Sequence, residues 1–518
     1  MKSALALLAL PAALAAVIRR DVVDPGAPTL NYPITGMVTP GNPGFPTPYT
    51  QGRYKHAAYL SIDGMHESDL QWYIETFPDS TMAALLKTAV HYKNARCSSP
   101  SDSAPGTLAP ATGASPRTHG FYYDAGTGEC LPGPNVVHRY DGALYPPGSN
   151  CTGPIGTTTA WDETLDLNNT VYNGGGGFNT SMFPLRLLPS GYCAPVSPWS
   201  FGRVNTCFEV IRQQGLVTAY TDKHPAYSSV RGPSGLGLSE AFFPEINAAN
   251  GQAETEGYDD LHWNALKNWN YGNYANGTAG LGVPSLYGSN FQTVSVSQKA
   301  YGYQADLTPS ANLTQAFKQV DSRLGELVAT MKQAGTYDDT LIVVFAKHGQ
   351  SPIDPTLVRK IPHSTLLDVV GVPTVQDASD DASYIWLQNK NDAPTAKANI
   401  LNNATTVGAA AVWIEDEIVA NGFGNPWLDS RTPDVIIKVE PGVIYTTASK
   451  IAEHGGLNPD DLDVVMFASN PKIHADTRDE IVYTRQIAPT VVKALGYDPL
   501  LLEGVRAEGT QPLPGLEF

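Results

Sequence analysis

His56-Ala57-Ala58-Tyr59-Leu60-Ser61-Ile62-Asp63-Gly64 decides the fold. A short apolar run suited to a buried strand stops abruptly at an acid and a glycine. The pattern recurs. Leu216-Val217-Thr218-Ala219-Tyr220 runs into Thr221-Asp222-Lys223-His224, and the run from Asp339 to Phe345 leads into Ala346-Lys347-His348-Gly349. Helical patterns lie between these runs. Residues 67–90 carry Trp72, Ile74, Met82, Leu85 and Leu86 as core positions, and Phe208–Gln214 reads as a helix. Leu313–Gln333 sets Phe317, Val320, Leu324, Leu327, Val328 and Met331 on one face. Strands alternating with helices predict an α/β fold with a mostly parallel central sheet. Sites in such sheets form at the carboxyl ends of strands, so Asp63, Asp222 and His348 are expected on one rim.

The remaining segments are less regular. Residues 125–200 hold three cysteines and Gly174-Gly175-Gly176-Gly177, and are expected to be a loop-rich insertion. No Lys-Ser/Thr follows the glycines, so they are read as a turn and not a phosphate loop. Residues 231–290 look loop-like, and Phe291–Val296 alternates as a strand would. Asp434–Val439 and Asp463–Ala468 read as strands, and Ile487–Leu495 as the last helix. No repeat of 20 to 50 residues occurs.

The whole chain bounds its class. It has 518 residues, 42% hydrophobic and only 16% charged, with 48 Gly and 41 Pro. That mix predicts ordered loops on a large core, with a single domain over 53–505, insertions near 125–200 and 231–290, and a tail over 506–518. Residues 1–16 read as a secretory signal, with Lys2 before an apolar run and Ala13-Leu14-Ala15 at the cleavage position. Arg19-Arg20 is either a processing site or a charged flank, and 21–52 is expected to be extended. No run is suited to spanning a bilayer. Secretion fits the glycosylation sequons at Asn150, Asn168, Asn179, Asn276, Asn312 and Asn403. Cys97, Cys130, Cys151, Cys193 and Cys207 lie in one third of the chain, which predicts local disulfides with one thiol left over. Net charge is -17, and losing Lys2, Arg19 and Arg20 makes the remaining chain about 20 negative. Such a chain is no general binder of nucleic-acid polymers or anionic membranes, but the balance leaves room for a small phosphorylated substrate.

Chemistry gathers after the first strand. Cys97-Ser98-Ser99-Pro100-Ser101-Asp102-Ser103-Ala104-Pro105-Gly106 reads as a hydroxyl-rich loop, and Thr112-Gly113-Ala114-Ser115-Pro116-Arg117-Thr118-His119-Gly120 follows it. Alone, a strand-end Asp is ordinarily a turn residue, and a His-Gly pair ordinarily a helix end. Together, one carboxylate, a serine and the imidazoles of His348 and His454 are the ligand types of zinc. A metal beside a serine lowers the hydroxyl's pKa and activates it as a nucleophile.

These pieces, in this order and spacing, resemble the type I phosphodiesterase/nucleotide pyrophosphatase branch of the alkaline phosphatase superfamily. The resemblance runs from about residue 54 to 500. It rests on Leu60–Met65, Pro100–Gly106, Thr112-Gly113 with Pro116 and His119-Gly120, Lys347–Gln350, and His454-Gly455. It implies an alkaline-phosphatase-like three-layer sandwich and a hydrolase of phosphate esters with a divalent metal, zinc by ligand type. It assigns the nucleophile to Ser103, with Ser101 second. Asp63, Ser103 and His348 become ligands of one metal and His454 of another, while His119 is structural.

The departures from the family pattern shape the rest. Lys347 stands where the family has a ligand Asp. Val294–Tyr301 lacks the Asp and His of the usual ligand pair. An ammonium about 4 Å from a dication at an effective dielectric near 20 costs several kcal/mol in repulsion. Either Lys347, with Lys299, replaces metal charge and clamps an anion directly, leaving one ion or none, or Asp222 and His224 serve as substitute ligands. A resemblance to phosphonoacetate hydrolase, where an Asp-Lys pair follows a comparable strand, makes Lys223 an anion-binding residue. The alternative is a catalytically reduced protein that binds an anionic ligand or partner through the same cleft.

Overall fold

The computed structural model describes residues 52–124, 163–179, 185–187 and 193–518. The expected signal, the Arg19-Arg20 pair, the extended N-terminus, Asn150, Cys130 and Cys151 lie outside the described residues.

An eight-stranded sheet forms the core. His56–Ile62 lies inside it, and every residue from Ala57 onward is buried. It pairs in parallel with Leu286–Phe291 on one side and Thr340–Phe345 on the other. A strand buried on both faces has no polar side to alternate, which is why its sequence reads as a continuous apolar run. The strand order is Asp476–Arg478, Ala89–Tyr92, Met466–Ser469, Thr340–Phe345, His56–Ile62, Leu286–Phe291, Thr218–Thr221, Glu240–Phe242. Met466–Ser469 runs antiparallel to both neighbours, and the other pairings are parallel.

Two groups of helices complete a three-layer α/β sandwich. Ala311–Ala334 packs with Gly251–Asn270 and Thr293–Ala300. Ile487–Ala494 packs with Ser103–Thr112 and Cys207–Gln213. Ala311–Ala334 starts where the Ser310 side chain accepts from the Leu313 N–H and stops at Gly335, whose φ of 74° suits glycine. After His348 the chain builds an antiparallel four-stranded sheet in the order Thr374–Ser379, Ala382–Leu387, Val435–Val439, Ala409–Ile414. This sheet has its own core around Leu366, Ile385, Val412 and Ile437. Among the described residues, no helix is long and apolar enough to cross a membrane.

Several expectations are corrected. The last four residues of the expected hydroxyl loop, Ser103–Gly106, open the helix Ser103–Thr112, capped by the Asp102 side chain on the Ala104 N–H. Two prolines and a glycine in ten residues hide it, but Pro105 lies in the first turn, where its missing N–H costs nothing. The expected strand over Phe291–Val296 is the end of Leu286–Phe291 followed by the helix Thr293–Ala300. The Asp259 carboxylate, from a different helix, accepts from Gln292 N, Thr293 N and Thr293 Oγ and so fixes that helix start. The loop-like 231–290 contains the 20-residue helix Gly251–Asn270. Its buried face repeats every three to four residues, but Thr255, Tyr258, Asp259, His262, Trp263 and Trp269 carry it in place of aliphatics. The short helix Glu503–Glu508 follows Ile487–Ala494, so the latter is not the last. Cys97 and Cys207 are free thiols. Both are packed in the main core, where they act as small apolar side chains. The side chain of Cys193 lies outside the described residues.

Candidate active site

The carboxyl ends of the central strands converge on one rim. His56–Ile62 delivers Asp63, Thr340–Phe345 delivers Lys347 and His348, and Thr218–Thr221 delivers Asp222, Lys223 and His224. Leu286–Phe291 contributes Asn290 near its end and Gln292 just beyond it. Ser103 is fully buried in the first turn of its helix, where unpaired N–H groups and the helix dipole favour negative charge. Its Oγ accepts from Lys223 Nζ at 3.1 Å and lies 3.3 Å from His348 Nε2.

Asp63 ties the rim together. Its Oδ1 is 2.9 Å from His348 Nε2, and its Oδ2 is 3.2 Å from Lys347 Nζ. Oδ2 also accepts from Gln292 Nε2 at 2.6 Å and Asn290 Nδ2 at 3.1 Å. Burial alone would raise the Asp63 carboxyl, but the Lys347 ammonium, with Lys223 further off, holds it well below the usual range. Burial works against the Lys223 ammonium too, yet Glu163, Asp63, Asp124 and Asp222 push its pKa above the ordinary lysine value. Lys223 and Lys347 both lie by the Tyr227 ring, 5.5 and 4.8 Å from its centroid.

His348 has a defined tautomer. Nδ1 is 2.8 Å from Gly349 O, which can only accept, so Nδ1 carries the proton. Burial lowers the pKa of the ring and keeps it neutral, so Nε2 presents a lone pair. That lone pair faces Asp63 Oδ1, which has no hydrogen-bond donor of its own. Two acceptors 2.9 Å apart, with Ser103 Oγ beside them, fit one divalent cation held by Asp63, His348 and Ser103. A serine relay would look different, since Ser and Asp would sit on opposite nitrogens of the ring. The family's second ion finds no such fit. Ser295 Oγ donates to Gln350 Oε1, and Lys299 Nζ is 2.5 Å from Glu453 Oε2. Of that ligand set His454 alone remains. Its ring stacks on His348 at 3.9 Å, and its unpartnered Nδ1 lies 3.6 Å from Asp102 Oδ1. Burial and the nearby positive groups keep His454 neutral.

The remaining named residues have other partners. Asp222 accepts from Tyr220 OH, Lys223 N and Asn290 Nδ2. Ser101 Oγ accepts from Gly455 N at 3.1 Å, fastening the segment before Ser103 to the His454 turn. His119 is buried and neutral, and its Nδ1 accepts from Phe121 N. His224 turns away from Ser103, with Nδ1 2.9 Å from Glu245 and Nε2 3.5 Å from Glu163. Asp166, His224 and Glu245 form a buried group whose ligand atoms all lie within 4.8 Å of one another.

Sequence reasoning missed Asn290, Gln292, Glu163, Asp166 and Glu245. Asn290 and Gln292 were hidden by the misplaced strand, and placing its end at Phe291 would have put both on the rim. The acids had no signal, because each becomes relevant only once the chain folds back onto His224.

An alkaline-phosphatase-like α/β sandwich with these groups at the carboxyl edge of its sheet defines a class of phosphate-ester hydrolases. The chain belongs to the type I phosphodiesterase/nucleotide pyrophosphatase family, whose profile matches residues 57–461. Solved structures share the fold at low identity. Murine ectonucleotide pyrophosphatase/phosphodiesterase 5 is 13% identical with a TM-score of 0.53, over 86% of this chain and 96% of that one. A multiply substituted form of the alkaline phosphatase PafA is 12% identical with a TM-score of 0.56, over 88% and 99%. Phosphonoacetate hydrolase from Sinorhizobium meliloti 1021, bound to phosphonoformate, is 15% identical with a TM-score of 0.51, over 86% and 97%. No curated protein sequence matches this chain.

Proposed function

We propose that the chain is a secreted hydrolase of small phosphorylated substrates, of phosphodiesterase or nucleotide-pyrophosphatase type, with Ser103 as nucleophile. One observation carries the reading: Ser103 Oγ, at a helix N-terminus, lies 3.1 Å from the Lys223 ammonium and 3.3 Å from His348 Nε2. Ser103 loses its proton to water, and the helix end and Lys223 stabilise the alkoxide. Oγ then bonds to phosphorus as the bond to the leaving oxygen breaks, and that oxygen takes a proton from water. A water molecule next attacks phosphorus, the Oγ–P bond breaks, and Oγ recovers a proton. Lys223 and Lys347 neutralise the non-bridging oxygens, the charge that a full pair of metals would otherwise supply. Asp63, His348 and Ser103 would hold one divalent cation, zinc by ligand type, which would add positive charge at the nucleophile. His454, neutral and with Nδ1 free, is the remaining donor from the second set.

Secretion fits the exposure of Asn168, Asn276, Asn312 and Asn403. A solved relative, murine ectonucleotide pyrophosphatase/phosphodiesterase 5 in an inactive form, holds AMP, so a nucleoside monophosphate ester is the first substrate to try. The test is turnover of an aryl phosphodiester, an aryl phosphomonoester and a dinucleotide, each with and without zinc. Phosphodiester turnover that disappears in Ser103→Ala supports the reading. No turnover of any of them by folded protein would leave the ligand-binding alternative.

A further inference from the structure

We infer that Asp166, His224 and Glu245 form a second, separate cation site, one that clasps the hairpin Glu163–Asn179 onto the rim beside Lys223. The donor set is an imidazole and two carboxylates, and their ligand atoms all lie within 4.8 Å of one another. This combination suits zinc, or manganese or cobalt, better than calcium or magnesium, which favour oxygen alone. The site is built inside the protein. Glu245 is fully buried, His224 is 2% exposed and Asp166 is 6% exposed.

Asp166 points to a missing ligand. Both of its carboxylate oxygens are buried without a hydrogen-bond partner. Such a group is costly to keep unless something positive meets it. The groups near it are the Glu245 carboxylate, close enough to share a proton with it when no cation is bound, and His224. His224 is arranged as a ligand with a fixed orientation. Nδ1 faces Glu245, and Nε2 faces Glu163, the kind of outer carboxylate that fixes the tautomer of a metal-bound histidine.

The surrounding backbone is shaped to the same end. Asp166 bridges to Phe178, and Asn179 N donates to Leu165 O, closing the hairpin. Gly174 comes so close that a Cβ there would lie 2.6 Å from Asp166 Oδ1, and its φ of +60° also suits glycine. Glu245 N donates to Tyr172 O, joining the hairpin to the segment that carries the second carboxylate. Glu163, at the start of the hairpin, lies 3.4 Å from Lys223 Nζ. A cation at His224 therefore holds in place the carboxylate that positions the lysine beside Ser103. The cation site itself does not depend on the proposed chemistry, because it is read from binding.

The test uses the full chain stripped with chelator and titrated with zinc alone. Calorimetry is expected to show two equivalents, one lost in Asp166→Asn and in Glu245→Gln but kept in Asp63→Asn, the other lost in Asp63→Asn alone. With zinc at a hundred times its Kd, hydrogen exchange over 163–179 is expected to slow about 100-fold in wild type and not in Asp166→Asn. Anomalous diffraction from zinc-soaked wild-type crystals removes any dependence on variants that fail to fold, and is expected to place zinc ~2.1 Å from donors of all three residues. No zinc peak there, or uptake abolished by Asp63→Asn and unchanged by Asp166→Asn, overturns the inference. In that case His224 is an imidazolium held by Glu163 and Glu245. Loss of turnover with zinc uptake intact would count against the proposed hydrolysis and leave the clasp standing.

Discussion

Replacing Lys223 by methionine removes the ammonium 3.1 Å from Ser103 Oγ and keeps most of the apolar stem. At that distance and an effective dielectric near 20, an ammonium and an alkoxide attract by about 5 kcal/mol. Water entering the gap returns part of this, and the loss of one preorganised donor at a developing anion costs about 3–4 kcal/mol, or 10²–10³ in kcat. Lys347 does not substitute, because its ammonium is paired with Asp63. Stability should suffer less, since Glu163 keeps the Tyr227 hydroxyl at 2.8 Å when its lysine goes. The assay is steady-state hydrolysis of an aryl phosphodiester across pH, with a thermal melt as the folding control. The prediction is a fall in kcat of about 100-fold or more with a much smaller change in KM. The limb on which activity rises with pH should also move to higher pH, because the hydroxyl has lost the cation that eased its ionisation. A folded variant with kcat within about threefold of wild type would refute the role given to Lys223.

Other expectations follow from the same geometry. Ser103→Ala should abolish turnover, whereas Ser101→Ala should leave the chemistry and loosen the His454 turn, visible as a lower melting temperature. Lys347→Ala should cost about 3–5 kcal/mol of stability by leaving the buried Asp63 carboxylate without its ion pair, which urea unfolding measures. Burial, and then Arg203, lower the His119 pKa to about 3, so its folded value lies below its unfolded value. Its contribution is present above pH 6.5 and is lost as pH falls toward 3, at about 1.4 kcal/mol per unit. Unfolding midpoints of wild type and His119→Gln over that window should differ in slope, and parallel curves would remove His119 from the acid response.

The sequence carried the sheet further than it carried the site. His56–Ile62 and Thr340–Phe345 are buried on both faces, so their apolar runs and the polar residues that end them were visible without a structure. Ala311–Ala334 was legible because its buried face is apolar apart from Asp321 and it has local caps. Gly251–Asn270 was not, because Thr, Asp, His and Trp form its buried stripe. Thr293–Ala300 was not, because a carboxylate more than thirty positions away sets its start. The same contrast runs through the site. Asp63, Ser103, Lys223 and His348 each announce themselves by a strand end or a motif, and the fold gathers them around Ser103 and Asp63. Asn290 and Gln292, which hold Asp63, and Glu163, which holds Lys223, are ordinary polar residues until tertiary pairing gives them partners.

The central claim is that Ser103 becomes covalently bonded to phosphorus, and acid quenching during turnover of an aryl phosphodiester tests it most directly. Peptide mass spectrometry of the quenched protein is predicted to find the phosphoryl group on Ser103, at a level that rises with substrate and is absent in Ser103→Ala. A fully active enzyme that never carries the group, or carries it on another residue such as Ser101, would contradict the account.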